Sequence, residues 1–163
     1  MVSQMRFGPM VHARLNPAAE NSGKLVSTVR REAHRISDEQ NLPLVIVDGP
    51  PGIGCPVIAS LTGATRVLVV AEPTVSGRHA LKRILLLARH FSLPASVCVN
   101  KYNLNVPMTE TIEKEATEAG AGVLGRIRYD RAVTLAQMQN KAVVETDARS
   151  AEDIRIIWEK LSL

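Results

Sequence analysis

The sequence predicts an α/β fold, a parallel sheet flanked by helices, and three observations carry that reading. Short apolar runs at residues 44–48, 66–71, 95–100 and 122–127 read as strands. Each is followed by a segment with helical spacing after a connection of a few residues, the signature of right-handed βαβ units. Aromatic residues make up only 3% of the chain, so the core must be built from Val, Leu, Ile and Ala, the usual filling of α/β layers.

The elements follow in order. Residues 7–15 suit an edge strand, although Gly8-Pro9 confines them to an edge. Leu25, Val26, Val29, Ala33 and Ile36 recur at helical spacing ahead of the 44–48 strand. That strand ends at a single carboxylate, Asp48, and a turn rich in proline and glycine follows at once. Leu81, Ile84, Leu85 and Ala88 mark a helix after the 66–71 strand, and Met108, Ile112, Ala116 and Ala119 mark one after 95–100. Ile154, Ile157, Trp158 and Leu161 form the last apolar stripe. There are no repeats, low-complexity tracts or linkers.

The composition, 163 residues of which 45% are hydrophobic and 22% charged, supports one domain with a sizeable core. No apolar run approaches the ~20 residues of a membrane span, and no signal-peptide pattern opens the chain, so the expected location is cytoplasmic. Twenty Lys and Arg face 16 Asp and Glu, an excess that permits an anionic partner without demanding one. The two cysteines, Cys55 and Cys98, share no metal-binding spacing.

Asp48 is the leading catalytic candidate. The carboxyl end of a parallel strand is where open α/β sheets bind ligands, and an aspartate there can hold a magnesium-bound water, the Walker B role. A strand-end Asp that caps the next turn is the competing reading. Gly52-Ile53-Gly54-Cys55 suits a mobile turn that reports nucleotide state, or simply a tight turn. Asn100-Lys101-Tyr102-Asn103 resembles the NKxD base-recognition motif of GTPases with Asn in the fourth position. An amide there opposes guanine, whereas the Asn100 amide can pair with adenine. Residues 18–25 imitate a Walker A loop, but Ala18 stands where the first glycine belongs and Leu25 where the hydroxyl belongs, so they are not read as one. Lys24 remains able to neutralise an anion near a helix start. Arg78, Lys82 and Arg89 lie on one helical face, a stripe for phosphates or acidic lipid, or an ordinary solvated face.

Together, VIVDGPPGIGCPVIAS (residues 45–60), VAEPTVSGRHALKRILLLARHFSLP (70–94) and VNKYN (99–103) resemble the MinD/ParA/Mrp superfamily of deviant-Walker P-loop ATPases. The similarity is greatest to the branch with an inserted ferredoxin domain, to which FGPMVHARL and ENSGKLVSTVR are also similar. The resemblance implies a partial P-loop NTPase-like, doubly wound parallel sheet that lacks the P-loop strand. It makes residues 1–163 a single, incomplete ATPase-like domain, the C-terminal portion of such a protein.

It implies an ATPase that dimerises around ATP or ADP with magnesium. Asp48 would lie near the metal and the attacking water, and Pro50, Pro51 and Gly52 would form the second switch. Asn100 and Lys101 would meet adenine, and Tyr129 and Asp130 would flank the base. The KGGxGKT-like Walker A loop and the ferredoxin cysteines of that branch are absent from this sequence, as is its usual Pro at Arg128. A partner chain, the missing Walker A/ferredoxin segment or self-association is therefore expected, with nucleic acid and membrane disfavoured. An iron–sulfur cluster belongs to the missing insert, with Cys55 as a secondary ligand candidate by its spacing from Asp48. The expected function is the nucleotide-binding portion of an ATPase linked to iron–sulfur or redox work and inactive alone. Its rivals are a chain that turns over ATP through Lys24, a ParA-like protein that binds DNA or anionic membrane through its basic helix, and a structural scaffold.

Overall fold

The computed structural model describes residues 1–14 and 23–161, which fall into two compact units, Met1–Ala64 and Thr65–Leu163. The first opens with an antiparallel hairpin of β1 (Val2–Met5) and β2 (Gly8–Val11), in register from Val2 against Val11 to Met5 against Gly8. The edge strand expected over 7–15 is therefore narrower: Phe7 lies in the turn, and Leu15 is outside the described residues. Pro9 is tolerated because a two-stranded ribbon consists only of edges.

Helix α1 (Gly23–Glu39) packs on β2 and on the short helix α2 (Cys55–Leu61). The Arg30 guanidinium joins the helices by donating to the carbonyls of Ala59, at 2.9 Å, and Thr62. These are carbonyls at the carboxyl end of α2, where a helix runs out of its own donors.

The strand expected over 44–48 does not form: among the described residues the segment makes no ladder with another strand. It carries exposed apolar side chains, Ile46 at 73% and Leu44 and Val47 at more than a third. A parallel strand is held by hydrogen bonds to flanking strands, and none lies beside this one among the described residues. The apolar pattern of a central strand is present without the neighbours that would make it one.

The second unit contains a parallel sheet in the order β3 (Val67–Ala71), β4 (Ala95–Asn100), β5 (Gly122–Ile127). The three strands expected here thus form, within a residue of their expected bounds. Val69, Ala71, Val97 and Val99 face α3 (Val75–His90) and α4 (Val106–Glu118), which contribute Leu81, Leu85, Ile112 and Ala116 to the core. Val97, Cys98 and Val99 at the centre are essentially inaccessible. Strand alternation turns Leu68 and Val70 to the opposite face, where they are 37% and 56% exposed.

Helix α5 (Ala132–Met138) follows β5, and α6 (Arg149–Lys160) packs back on it. Ile157 sits against Gly125, where an added Cβ would lie 3.3 Å from its Cγ1. Ile157 and Leu161 are buried, but Trp158 is half exposed, contrary to the expected stripe. It stands about 100° round the helix from Ile157, beyond the face that meets the sheet.

Two contacts fasten α3. Thr74 caps it, its hydroxyl oxygen accepting from the Gly77 N–H at 2.9 Å, and a Cβ on Gly77 would lie 2.3 Å from the Glu72 carbonyl oxygen. Glu115 of α4 accepts from Arg78 Nε at 2.9 Å and pairs with Lys82 at 3.0 Å. The Arg78 bond, reinforced by Lys82, holds the Glu115 carboxyl at about 2.

Thr74→Ala should cost about 1 kcal/mol in urea denaturation. Gly77→Ala should cost more, because a backbone carbonyl must give way; equal stability for Gly77→Ala and wild type would contradict the clash. Since the folded carboxyl of Glu115 titrates below its ordinary value of 4.5, its stabilisation is present above pH 4.5 and is lost as pH falls toward 2. The urea midpoint of Glu115→Gln should accordingly vary less over that interval than that of the wild type.

Candidate functional site

The expected site residues fall into two groups, one in each unit. In the first unit, Asp48 is exposed at the end of the apolar segment, and Pro50 and Pro51 follow it along an open groove of about 760 Å3. Leu25, Val26 and Val29 of α1 form an apolar wall of the groove, and residues 44–51 line it as well. Gly52 has φ of 99°, a left-handed value that glycine adopts without strain. Gly54 then caps α2, Cys55 is its first residue, and Pro56 takes a position in the first turn where a missing N–H costs nothing. The turn is thus set by its Gly and Pro residues, and Asp48 does not cap the helix.

In the second unit, Asn100 is the last residue of β4 and pairs with Ile127 of β5. Lys101 follows in a left-handed conformation, φ 58°, and its ammonium donates to Glu72 at 2.6 Å. Tyr129 and Asp130 lie just past β5. The Asn103 side-chain oxygen accepts from the Tyr129 N–H at 2.7 Å, joining the two strand ends.

Asp130 is committed to structure. One oxygen accepts from the Ala132 N–H at 2.9 Å and the other from the Ser150 hydroxyl at 3.0 Å. These bonds, Ala132 first, hold its carboxyl below the ordinary range. Arg128 makes a forked pair with Asp153, both contacts at 2.7 Å, and its N–H donates to the same carboxylate at 3.0 Å. Proline could not supply that last bond.

The structure thus brings Asn100, Lys101, Tyr129 and Asp130 to adjacent strand ends, and keeps Asp48, Pro50, Pro51, Gly52 and Cys55 along one turn. Sequence reasoning missed Ser150 and Asp153, which anchor the loop from α6. Neither forms a motif, because they are brought to the loop only by the packing of α6 on β5. Residues 18–22 of the rejected Walker A imitation lie outside the described residues, and Gly23-Lys24 open α1. In the basic stripe, Arg78 and Lys82 are engaged by Glu115.

Among the described residues no group of three or more His, Cys, Asp or Glu side chains could hold a metal ion. A lone carboxylate such as Asp48 still suits magnesium, which usually takes one or two carboxylates together with substrate phosphates and water. An iron–sulfur cluster does not fit: it needs about four thiolates, and of the chain's two cysteines Cys98 is buried in the centre of β4.

A sheet of parallel strands with helices against it, and with polar loops at its carboxyl ends, is an open α/β arrangement. Among solved structures, the MinC:MinD cell division protein complex of Aquifex aeolicus aligns with TM-score 0.73 and 17% identity, covering 99% of this chain and 66% of that one. MinD of the same organism gives 0.71 at 18% identity, covering 99% and 67%. A ParA family ATPase from Chlorobium tepidum gives 0.64 at 20% identity, covering 91% and 62%. The fold is therefore of the MinD/ParA type.

No family model matches. Two uncharacterised proteins of Methanocaldococcus jannaschii are similar in sequence. MJ0578 is 24% identical over 156 residues, 94% of this chain and 50% of that protein. MJ0579 is 28% identical over 98 residues, 60% of this chain and 35% of that protein. The chain thus spans half the length of one and about a third of the other. No helix among the described residues is long and apolar enough to cross a membrane.

The two cysteines should react very differently. Desolvation pushes the buried Cys98 thiol up to about 11 from its ordinary 9.0, whereas Cys55 is exposed. One equivalent of thiol reagent should be consumed quickly at pH 8 in native protein and a second only on unfolding. Two fast equivalents would show that β4 is not closed.

Proposed function

We propose that this chain is the nucleotide-binding C-terminal portion of a MinD/Mrp-like ATPase, dependent on a Walker A segment from another stretch of polypeptide. The observation that carries the reading is the unpaired apolar segment ending at exposed Asp48, in a chain of MinD/ParA fold. An unpaired central-type strand leaves backbone groups and apolar side chains to be satisfied by an added strand. The relatives' greater length is consistent with such a segment.

In this reading Asp48 binds magnesium through a water and orients the attacking water, while Pro50–Gly52 respond to the γ-phosphate. The Asn100 amide pairs with adenine beside Lys101, and Tyr129 flanks the base. Asn103 offers one oxygen, which already accepts from the Tyr129 N–H, and an NH2 that only donates, so it lacks the second oxygen with which a carboxylate would take guanine. Magnesium, when bound with ATP, neutralises phosphate charge. Most of the remaining positioning and neutralisation comes from P-loop amides and lysine, so the chain alone is catalytically silent. The work belongs to the ferredoxin-bearing branch and is linked to iron–sulfur or redox chemistry, with any cluster held by the absent insert. Dimerisation around nucleotide and a cytoplasmic location complete the proposal.

Phosphate release from the purified chain with Mg-ATP should not exceed background, and Lys24→Ala should change nothing. Adding a polypeptide that carries a KGGxGKT-like loop from a relative of this branch should restore turnover, and Asp48→Ala should then reduce it by about 100-fold or more. Turnover by the chain alone that disappears in Lys24→Ala would overturn the reading in favour of a self-sufficient enzyme.

A further inference from the structure

We propose that the outer edge of β1 is an interface for a second copy of this chain, two hairpins joining antiparallel about a two-fold axis at Ser3 to make one four-stranded sheet. The hydrogen bonds of the hairpin fix which groups that edge presents. Met1 and His12 exchange both main-chain bonds, each at 3.0 Å, and so form a bonded pair. Bonded and non-bonded pairs alternate along an antiparallel ladder, so Ser3 and Met10 are bonded, while Val2–Val11 and Gln4–Pro9 are not. The N–H and C=O groups of Val2 and Gln4 therefore point away from β2. No other strand lies beside β1 among the described residues.

The two edges of the hairpin differ. On β2, Pro9 takes one of the outward positions and removes a donor, and α1 packs on that strand. β1 holds neither proline nor charge, the devices by which exposed edges avoid pairing. The antiparallel register that satisfies both outward residues pairs Val2 with the partner's Gln4 and Gln4 with the partner's Val2, about four bonds in all. It sets Met1 opposite the partner's Met5. These side chains, 75% and 52% exposed in the single chain, share a face with the half-exposed Met10, so the apolar stripe runs on across the junction. The two Arg6 positions fall about 20 Å apart along the strands at ~3.4 Å per residue, beyond a Debye length of about 8 Å, so like charges do not oppose the contact. A hairpin alone is marginal in water, and four strands with one apolar face are not. The contact uses neither nucleotide nor a Walker A segment, so it stands apart from the nucleotide reading.

Sedimentation velocity and amide exchange by NMR on the whole chain, without nucleotide, test it. From about 10 µM to about 1 mM the wild type should pass from monomer to dimer. Over the same range the Val2 and Gln4 amides should gain about tenfold protection while Val97 and Val99 stay unchanged. Gln4→Pro removes an outward donor and leaves the bonded pairs of the hairpin in place, and should raise the dissociation constant by about 30-fold or more. Gln4→Lys keeps that donor, sets a charge on the edge, and should also weaken the dimer. A monomer at the highest concentration would overturn the proposal; that is the result expected if the edge takes an extended segment of a different polypeptide. A dimer in which Val2 and Gln4 exchange freely, one unchanged in both variants, or one that forms only with Mg-ATP would overturn it equally.

Discussion

Backbone hydrogen bonding between parallel strands is the constraint on which the rest of this molecule depends. A strand's N–H and C=O groups must find partners, and in a parallel sheet those partners are other strands. β4 has a neighbour on both sides, and its central residues are completely removed from water. The segment ending at Asp48 has an equally apolar sequence but no strand paired with it among the described residues, and it forms no regular element, with Ile46 largely exposed. The same composition thus has two outcomes, decided by the strands available beside it.

The helices over the completed part of the sheet are locked by a few specific contacts. Glu115 ties α3 to α4, and Gly77 lets the start of α3 approach the Glu72 carbonyl more closely than any side chain permits. Because Arg78 and Lys82 are engaged in that lock, the helix that carries the basic stripe offers less free charge than its sequence suggests. Salt-screened surface pairs contribute little individually, but a carboxylate shared by two cations holds geometry as well as charge.

At the carboxyl ends of β4 and β5 the polar residues serve one another before they can serve a ligand. Asp130, Arg128 and Asn103 are all spent on shaping one loop, while Tyr129 stays half exposed. A rigid frame around a small number of free groups is the usual construction of a binding site, since the ordering cost is met on folding and not on binding.

Much of this could be read in the sequence, and for a definite reason. The strands at 95–100 and 122–127 and the buried stripes of α3 and α4 are set by local periodicity and composition, which neighbouring residues encode together. The strand end at Asn100 was legible for the same reason. Only the tertiary structure decided that residues 44–48 remain unpaired, that Trp158 faces outward, and that Asn103 binds Tyr129 while Asp153 and Ser150 anchor the loop. Each of these depends on what another element, distant in the chain, brings alongside, and neither periodicity nor spacing along the chain carries that information.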